Sequence, residues 1–292
     1  MRQAIATVIM WLAYLLPGPA VADDPPHIRC VKVFDALGYS YKPDLSRIGL
    51  EPVFVFDALR WWRADEPRHE MTAARNLEKW VFERRKDSRQ LVLDIEEWPV
   101  RGEPAVVEAS VTRLIAVLRR VRDAGYAGPI GYYGLAPIRD YWRSVRPADS
   151  SEYRQWAAEN DRLQPLADNV DALFPSLYTF YDDIAGWEAY ALANLREARR
   201  LAKDKPVYPF LWPQFHESNQ KLAGQYLPAA AWRRQLEFVQ QHADGMVLWG
   251  GWAGNGPARW DEDAAWWQAT REFLRESVAA FKRGAGSVAC AS

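Results

Sequence analysis

The segment Leu91-Val92-Leu93-Asp94-Ile95-Glu96-Glu97-Trp98 sets two acids two residues apart at the end of an apolar run. Side chains alternate along a strand, so an extended conformation puts Asp94, Glu96 and Trp98 on one face and Leu93, Ile95 and Glu97 on the other. The Cα atoms of the two acids are then roughly 6.5–7 Å apart. Inside a partly closed site they repel, and burial raises at least one pKa, which divides the pair into one protonated and one ionised group near neutrality. Glycoside hydrolysis needs that division: a proton for the leaving oxygen and an anion beside the oxocarbenium-like centre. A lone Asp-x-Glu is as readily a solvated strand end or half of an arginine ion pair. The apolar run before these acids and the tryptophan after them favour the chemical reading.

The surroundings are aromatic, with 15 Trp and 13 Tyr in 292 residues. Rings of this kind stack on the apolar faces of sugars, although most aromatics fill cores. Tyr132, Tyr133, Tyr178, Trp212, Trp249 and Trp252 fall at the ends of predicted strands, on the rim that carries the acids, whereas Trp80, Trp187 and Trp232 lie in helical stretches and read as packing residues. The loops after the second, third and fourth predicted strands carry Arg60, Arg63, Arg68, Arg101, Arg139, Arg143 and Arg146. An arginine-lined rim attracts a polyanionic glycan; Asp65, Glu66, Glu103, Asp140 and Asp149 in the same loops allow ordinary ion pairs instead. Asp57 ends the second predicted strand as a spare carboxylate, and His216-Glu217 follows the sixth. His27, His69, His216 and His242 have no zinc-ligand spacing. Neither a glycine-rich phosphate loop nor a Gly-x-Ser-x-Gly elbow is present. No metal or cofactor is expected.

The elements that must hold these residues recur as a short apolar strand, a polar loop and a helix. Predicted strands are Ile28 to Ala36, Pro52 to Asp57, Gln90 to Trp98, Ile130 to Pro137, Ala172 to Tyr178, Pro206 to Phe215 and Met246 to Trp252. Helical spacing marks, among others, Val106 to Val121, Trp187 to Leu201, Trp232 to Gln241 and Ala264 to Phe281. Alternation of this kind predicts a parallel sheet with right-handed crossovers. Runs such as Val53-Phe54-Val55-Phe56 and Met246-Val247-Leu248-Trp249 imply strands buried on both faces. An open doubly wound sheet satisfies that too. The gathering of chemistry-bearing residues at several strand ends selects an α/β fold with a single closed parallel β/α barrel of seven strands, TIM-barrel-like.

The N-terminus reads as a secretory signal: Arg2, an apolar run from Ala4 to Leu16, a Pro-Gly-Pro break and Ala20-Val21-Ala22, with cleavage after Ala22. The alternative, a membrane anchor, is disfavoured by the short core and by Pro17 and Pro19. Residues 1–22 are therefore assigned to the signal and 23–292 to one catalytic domain, exported to the periplasm or secreted, with no stable membrane insertion. Loss of Arg2 takes the formal charge from −1 to −2, which lacks the basic footprint of a nucleic-acid binder. Cys30 and Cys290, near opposite ends of the chain, either form one staple in an oxidising compartment or remain two thiols.

Four segments in order resemble the hyaluronidase family of glycoside hydrolases. Leu93-Asp94-Ile95-Glu96-Glu97-Trp98 resembles the family's Asp-Trp-Glu-Glu-Trp strand, and Gly131-Tyr132-Tyr133-Gly134 with Pro137 its Gly-Tyr-Tyr-x-x-Pro segment. Ala172-Leu173-Phe174-Pro175-Ser176-Leu177-Tyr178 is similar to Ala-Leu-Tyr-Pro-Ser-Ile-Tyr, and Val247-Leu248-Trp249-Gly250 to Val-Leu-Trp-Gly. The resemblance implies a seven-stranded barrel and substrate-assisted retention, in which the sugar's N-acetyl carbonyl attacks the anomeric carbon. It implies Glu96 as general acid and then base, Asp94 orienting the acetamido group, Tyr133 and Tyr178 hydrogen-bonding around it, and Trp249 walling the pocket. Trp98, Phe210 and Trp212 complete the expected substrate-binding set. Ile95 replaces the motif's Trp, Phe210 stands where a Tyr is common, Ile138-Arg139-Asp140 occupies the place of a family Cys, and two cysteines cannot make the usual pair of disulfides. The expected function is a retaining endo-glycosidase on an N-acetylhexosamine-containing, hyaluronan- or chondroitin-like polysaccharide. The alternatives are a glycosidase on a glycan without acetamido participation and a catalytically silent glycan-binding protein.

Overall fold

Prolines shorten several of the strands. The computed structural model describes residues 31–57, 70–84, 86–253 and 256–284; the signal segment, Cys30, Cys290, His27, His69, Arg60, Arg63 and Arg68 lie outside them. The strands are β1 (Lys32–Leu37), β2 (Glu51–Pro52), β3 (Phe54–Phe56), β4 (Leu91–Leu93), β5 (Ile130–Tyr132), β6 (Phe210–Leu211), β7 (Gly245–Gly250), β8 (Trp252–Ala253) and β9 (Gly256–Pro257). Most of the strands of the two main sheets are shorter than the apolar runs that hold them, β7 only slightly. The predicted strand Pro206 to Phe215 contracts to two ladder residues because Pro206, Pro209 and Pro213 have no N–H to give. Ala172 to Tyr178, interrupted by Pro175, makes single bridges rather than a ladder: Leu173 with Val207 and Ser176 with Phe210. The predicted strand Gln90 to Trp98 stops at Leu93, one backbone bond beyond which Asp94 N–H still donates to the Phe56 carbonyl at 3.0 Å. Asp94 and Glu96 thus stand in the segment leaving the strand, not within its ladder.

Pairing is parallel throughout the two main sheets, ordered β2-β1-β7-β6 and β3-β4-β5. Val53 alone separates β2 from β3, and the Tyr133–Phe174 bridge joins the end of β5 to the segment that bridges β6. The hairpin β8-β9 is antiparallel. Between strands run α1 (Glu70–Arg84), α2 (Pro104–Asp123), α3 (Ser151–Asp161), α4 (Gln164–Asn169), α5 (Ile184–Ala202), α6 (Ala229–His242) and α7 (Ala265–Gly284). The β1–β2 connection carries a 3₁₀ turn, Leu45–Ile48, in place of a helix. No helix among the described residues is long and apolar enough to cross a membrane.

Alternation divides the core in two. Val92, Tyr133, Ala172, Phe174, Tyr178, Phe210 and Val247 form an inner cluster with Phe34, and Val53, Val55, Trp212 and Trp249 pack on it. Their neighbours Leu91, Leu93, Tyr132, Leu173, Leu177, Leu211, Met246 and Leu248 belong to an outer cluster shared with the helices. On α2 the outer cluster is met by Val107, Val111, Leu114, Leu118 and Val121, a spacing of three and four that keeps one face inward. Trp187 and Trp232 are fully buried against the sheet, and Trp80 packs edge-on against Phe54 and Phe56. Tyr132, expected on the rim, faces this outer layer and donates to the Leu114 carbonyl at 2.9 Å; one position along the strand exchanges the two faces.

Candidate active site

The inner faces of several strands end in a polar or aromatic residue, and these residues meet. Val53 and Val55 are followed at the next same-side position by Asp57, Val92 by Asp94, and Val247 by Trp249. Ile95 turns into the outer cluster while Asp94 stays half-buried on the inner side, so the alternation outlasts the ladder. Asp94 is pushed up to about 7, mainly by burial and then by repulsion from Glu96, Asp57 and Glu97. Near neutrality this buried carboxyl is poised between its protonated and ionised forms.

Glu96 is exposed and lines a cavity of about 410 Å³ with Trp98, Arg101, Tyr133, Arg139 and Ser176. The Tyr133 hydroxyl lies 3.2 Å from Ser176 Oγ. Its ring stands 5.7 Å from Tyr178, which stacks on Trp249 at 5.6 Å and 30°. Trp212 meets Tyr178 and Trp249 edge-on at 5.5 and 5.1 Å. Burial pushes the Tyr133 and Tyr178 hydroxyls up, so both remain donors at any ordinary pH. The charge of Glu96 reaches Tyr133, Tyr178 and Arg139, and that of Asp94 reaches Tyr178. The two acids, Tyr133, Tyr178, Trp98, Trp212 and Trp249 therefore belong to one neighbourhood. Phe210 lies one layer down, 1% exposed, with its ring 4.8 Å from Tyr133; it supports the site from below. Trp252 is carried onto the β8-β9 hairpin and is exposed.

The loops add groups with no strand periodicity to announce them. Arg139 Nη1 donates to His216 Nε2 at 3.2 Å, and the opposite ring nitrogen of His216 lies 2.6 Å from Ser218 Oγ. Burial, reinforced by Arg139, pushes His216 down to about 4, so the imidazole is neutral, with Nε2 against Arg139 and Nδ1 accepting the Ser218 backbone N–H at 3.1 Å beside the Ser218 hydroxyl. No carboxylate lies within ion-pair distance of Arg139 among the described residues, whereas Arg143 is paired with Asp140 at 2.7 Å and Glu159 at 2.8 Å. The rim arginines thus divide: Arg143 is structural, Arg101 lines the cavity while paired with Asp140 at 3.7 Å, and Arg139 lines it beside His216. Ser176 was reachable by counting two residues back from Tyr178; Ser218 and the Arg139–His216 contact come from irregular loops.

No protein-family model matches the chain, and no curated protein matches it by sequence. Among solved structures, bee venom hyaluronidase is similar at 13% identity and a TM-score of 0.58, over 87% of this chain and 97% of that one. Its complex with a hyaluronic acid tetramer gives 14%, 0.57, 87% and 99%. A Cellulomonas fimi endo-β-1,4-mannanase double mutant follows at 13% identity and a TM-score of 0.45, covering 84% of this chain and 70% of that chain. The fold is that of a glycoside hydrolase. At these identities the likeness is one of fold alone. Asp57, Asp94, Tyr133 and Trp249 stand at the C-terminal ends of their parallel strands.

Proposed function

We propose that this chain is an exported, retaining endo-glycosidase that hydrolyses an N-acetylhexosamine-containing polysaccharide with help from the substrate's own acetamido group. The observation that carries the reading is a buried Asp94, pushed up to about 7, beside a cavity-lining Glu96 and the Tyr133–Tyr178–Trp249 wall. We read the unbroken run of parallel pairings from β1 through β7 as a closed seven-stranded barrel, with Val53 bridging its two ladders.

One proton serves the pair of acids. In the free protein it resides readily on Asp94; an acetamido N–H directed at Asp94 favours the carboxylate there and leaves the proton to Glu96. Glu96 then protonates the glycosidic oxygen as its bond to the anomeric carbon breaks. The acetamido carbonyl oxygen attacks that carbon from the opposite face, closing a cyclic oxazolinium whose positive charge Asp94 stabilises. The leaving sugar departs, Glu96 takes a proton from water, and the water opens the ring with net retention. Tyr133 and Tyr178 offer hydroxyls to the acetamido group, and Trp249 covers the sugar face. The unpaired guanidinium of Arg139, with Arg101, suits a polymer bearing carboxylates, hyaluronan- or chondroitin-like; the hyaluronic acid tetramer bound by a protein of the same fold supports that class.

The test is incubation with hyaluronan, chondroitin and N-acetylglucosamine polymers, with mass spectrometry of the products. Saturated oligosaccharides are expected, and Glu96→Gln is expected to lower their rate by about three orders of magnitude with an unchanged melting temperature. Unsaturated products, or a Glu96→Gln variant as active as the parent, contradict the reading. Binding without any cleavage across the panel would instead mark a silent glycan-binding protein.

A further inference from the structure

A second hollow of about 270 Å³ is lined by Tyr39, Tyr226, Leu227, Arg259, Asp261 and Trp266. It adjoins the candidate site across a glycine: a Cβ at Gly250 would lie 3.3 Å from the Trp212 ring and 3.7 Å from the Tyr39 hydroxyl. The three rings form an organised wall. Trp266 stacks on Tyr39 at 5.7 Å and lies parallel to Tyr226, with 6.5 Å between centroids, while the Tyr39 and Tyr226 hydroxyls are 3.3 Å apart. Tyr39 and Trp266 are buried, but Tyr226 is 49% exposed.

The polar groups of this hollow are uncommitted in a way that core residues are not. Arg259 and Asp261 line the same cavity two residues apart, and neither takes part in an ion pair among the described residues. Asp261 Oδ1 accepts the Asp263 N–H at 3.0 Å, leaving its second oxygen for another donor. The Arg259 guanidinium lies over the Tyr41 ring at 5.1 Å. Tyr41 itself is 82% exposed and has a positive φ of 60°, a conformation a tyrosine holds only at a cost. A flat aromatic wall with one spare carboxylate oxygen and one spare guanidinium at its edge matches a sugar ring, whose C–H face stacks and whose hydroxyls take paired hydrogen bonds. It does not match a wholly apolar ligand, which would leave both charges unsolvated.

We propose that this hollow is a distal subsite that holds one pyranose unit of the same polymer, several sugars from the scissile bond, with the exposed Tyr226 ring as its platform, backed by the buried Trp266, and Arg259 and Asp261 as its hydroxyl partners. The proposal rests on the glycosidase reading for the identity of the ligand, but not for the existence of the site.

Protein carrying 5-fluorotryptophan, in a Glu96→Gln background so that ligands stay whole, is titrated with tetra- and decasaccharides of hyaluronan and with chitin octasaccharide, and followed by fluorine NMR. The Trp266 resonance is assigned by Trp266→Phe. The decasaccharide or the octasaccharide is expected to shift that resonance saturably while the tetrasaccharide leaves it in place, and the exposed-site variant Tyr226→Ala is expected to weaken the shift-derived affinity about tenfold. In the parent enzyme the same variant is expected to raise KM for the long substrate and to leave kcat, and KM for the tetrasaccharide, unchanged. Cleavage by the parent with no movement of Trp266 overturns the distal subsite and spares the acid pair. A saturable Trp266 shift in a protein that cleaves nothing supports the subsite and overturns the enzymatic reading. No shift with any of the probes, like an equal effect of Tyr226→Ala on short and long chains, overturns the subsite.

Discussion

The proposed mechanism asks Asp94 to be buried in the free protein and anionic with substrate bound, and the two demands oppose each other. Its carboxyl titrates near 4 in an unfolded chain and near 7 when folded, so the folded state binds the proton more tightly. The stability this group contributes is complete below pH 4, declines as pH rises toward 7, and is gone above it. Asp94→Asn should therefore melt progressively higher than the parent as pH rises from 4 to 8, by at most ~4 kcal/mol at the upper end. A melting difference that stays flat with pH would show that Asp94 is not the strained group. Because repulsion from Asp57 helps hold Asp94 up, Asp57→Asn should move the alkaline limb of kcat/KM, set near pH 7 by loss of the pair's single proton, to lower pH; a limb that stays or rises would remove Asp57 from the pair's field. At this scale the acids were legible because they interrupt an apolar run. Arg139, His216 and Ser218 were not brought together by any spacing, since their approach is decided by how two irregular loops fold over the strand ends. Tyr132 shows the opposite limit: beside Tyr133 in sequence, it faces the other layer.

The strands and helices position the site by simple means that can be broken one at a time. Gly131 in β5 has no side chain because the backbone and ring of the next segment occupy its place: a Cβ there would meet the Ala172 carbonyl at 2.5 Å and the Phe174 ring at 2.5 Å. Gly131→Ala should cost about 1–3 kcal/mol and displace Tyr133 two residues on, lowering melting temperature and activity together. A variant that keeps both would mean that β5 has more room than its packing implies. Helices with a continuous apolar stripe, α2, α5, α6 and α7, were readable from spacing, because burial of one face is what the stripe encodes. The polar helix α3, which buries only Trp156 and Asn160, carries too little of that signal. Strand lengths were overestimated because apolar runs record burial, whereas ladders also need N–H groups that Pro175, Pro206, Pro209 and Pro213 lack.

At the scale of the whole molecule, a formal charge of −1 says little about the ligand, since the charges that meet it are the local ones of the cavity, Arg101, Arg139 and Glu96. What the molecule shares with bee venom hyaluronidase is the course of the chain, at 13% identity; motif order made that fold legible, while of the departures Arg139 lines the cavity, Phe210 lies one layer below it and Ile95 turns into the outer cluster. The Glu96 cavity and the Tyr39–Tyr226 hollow are two separate recesses, and the proposed endo cleavage needs a mouth that seats a chain rather than a terminus. The most direct test of substrate-assisted hydrolysis at the acid pair is proton NMR of the first product released from hyaluronan oligosaccharides. The account predicts that the β-anomer appears first and relaxes to the equilibrium mixture, that de-N-acetylated substrate is left intact, and that Glu96→Gln yields no product on the same timescale. Release of the α-anomer first, or equal cleavage of the de-N-acetylated chain, would contradict it.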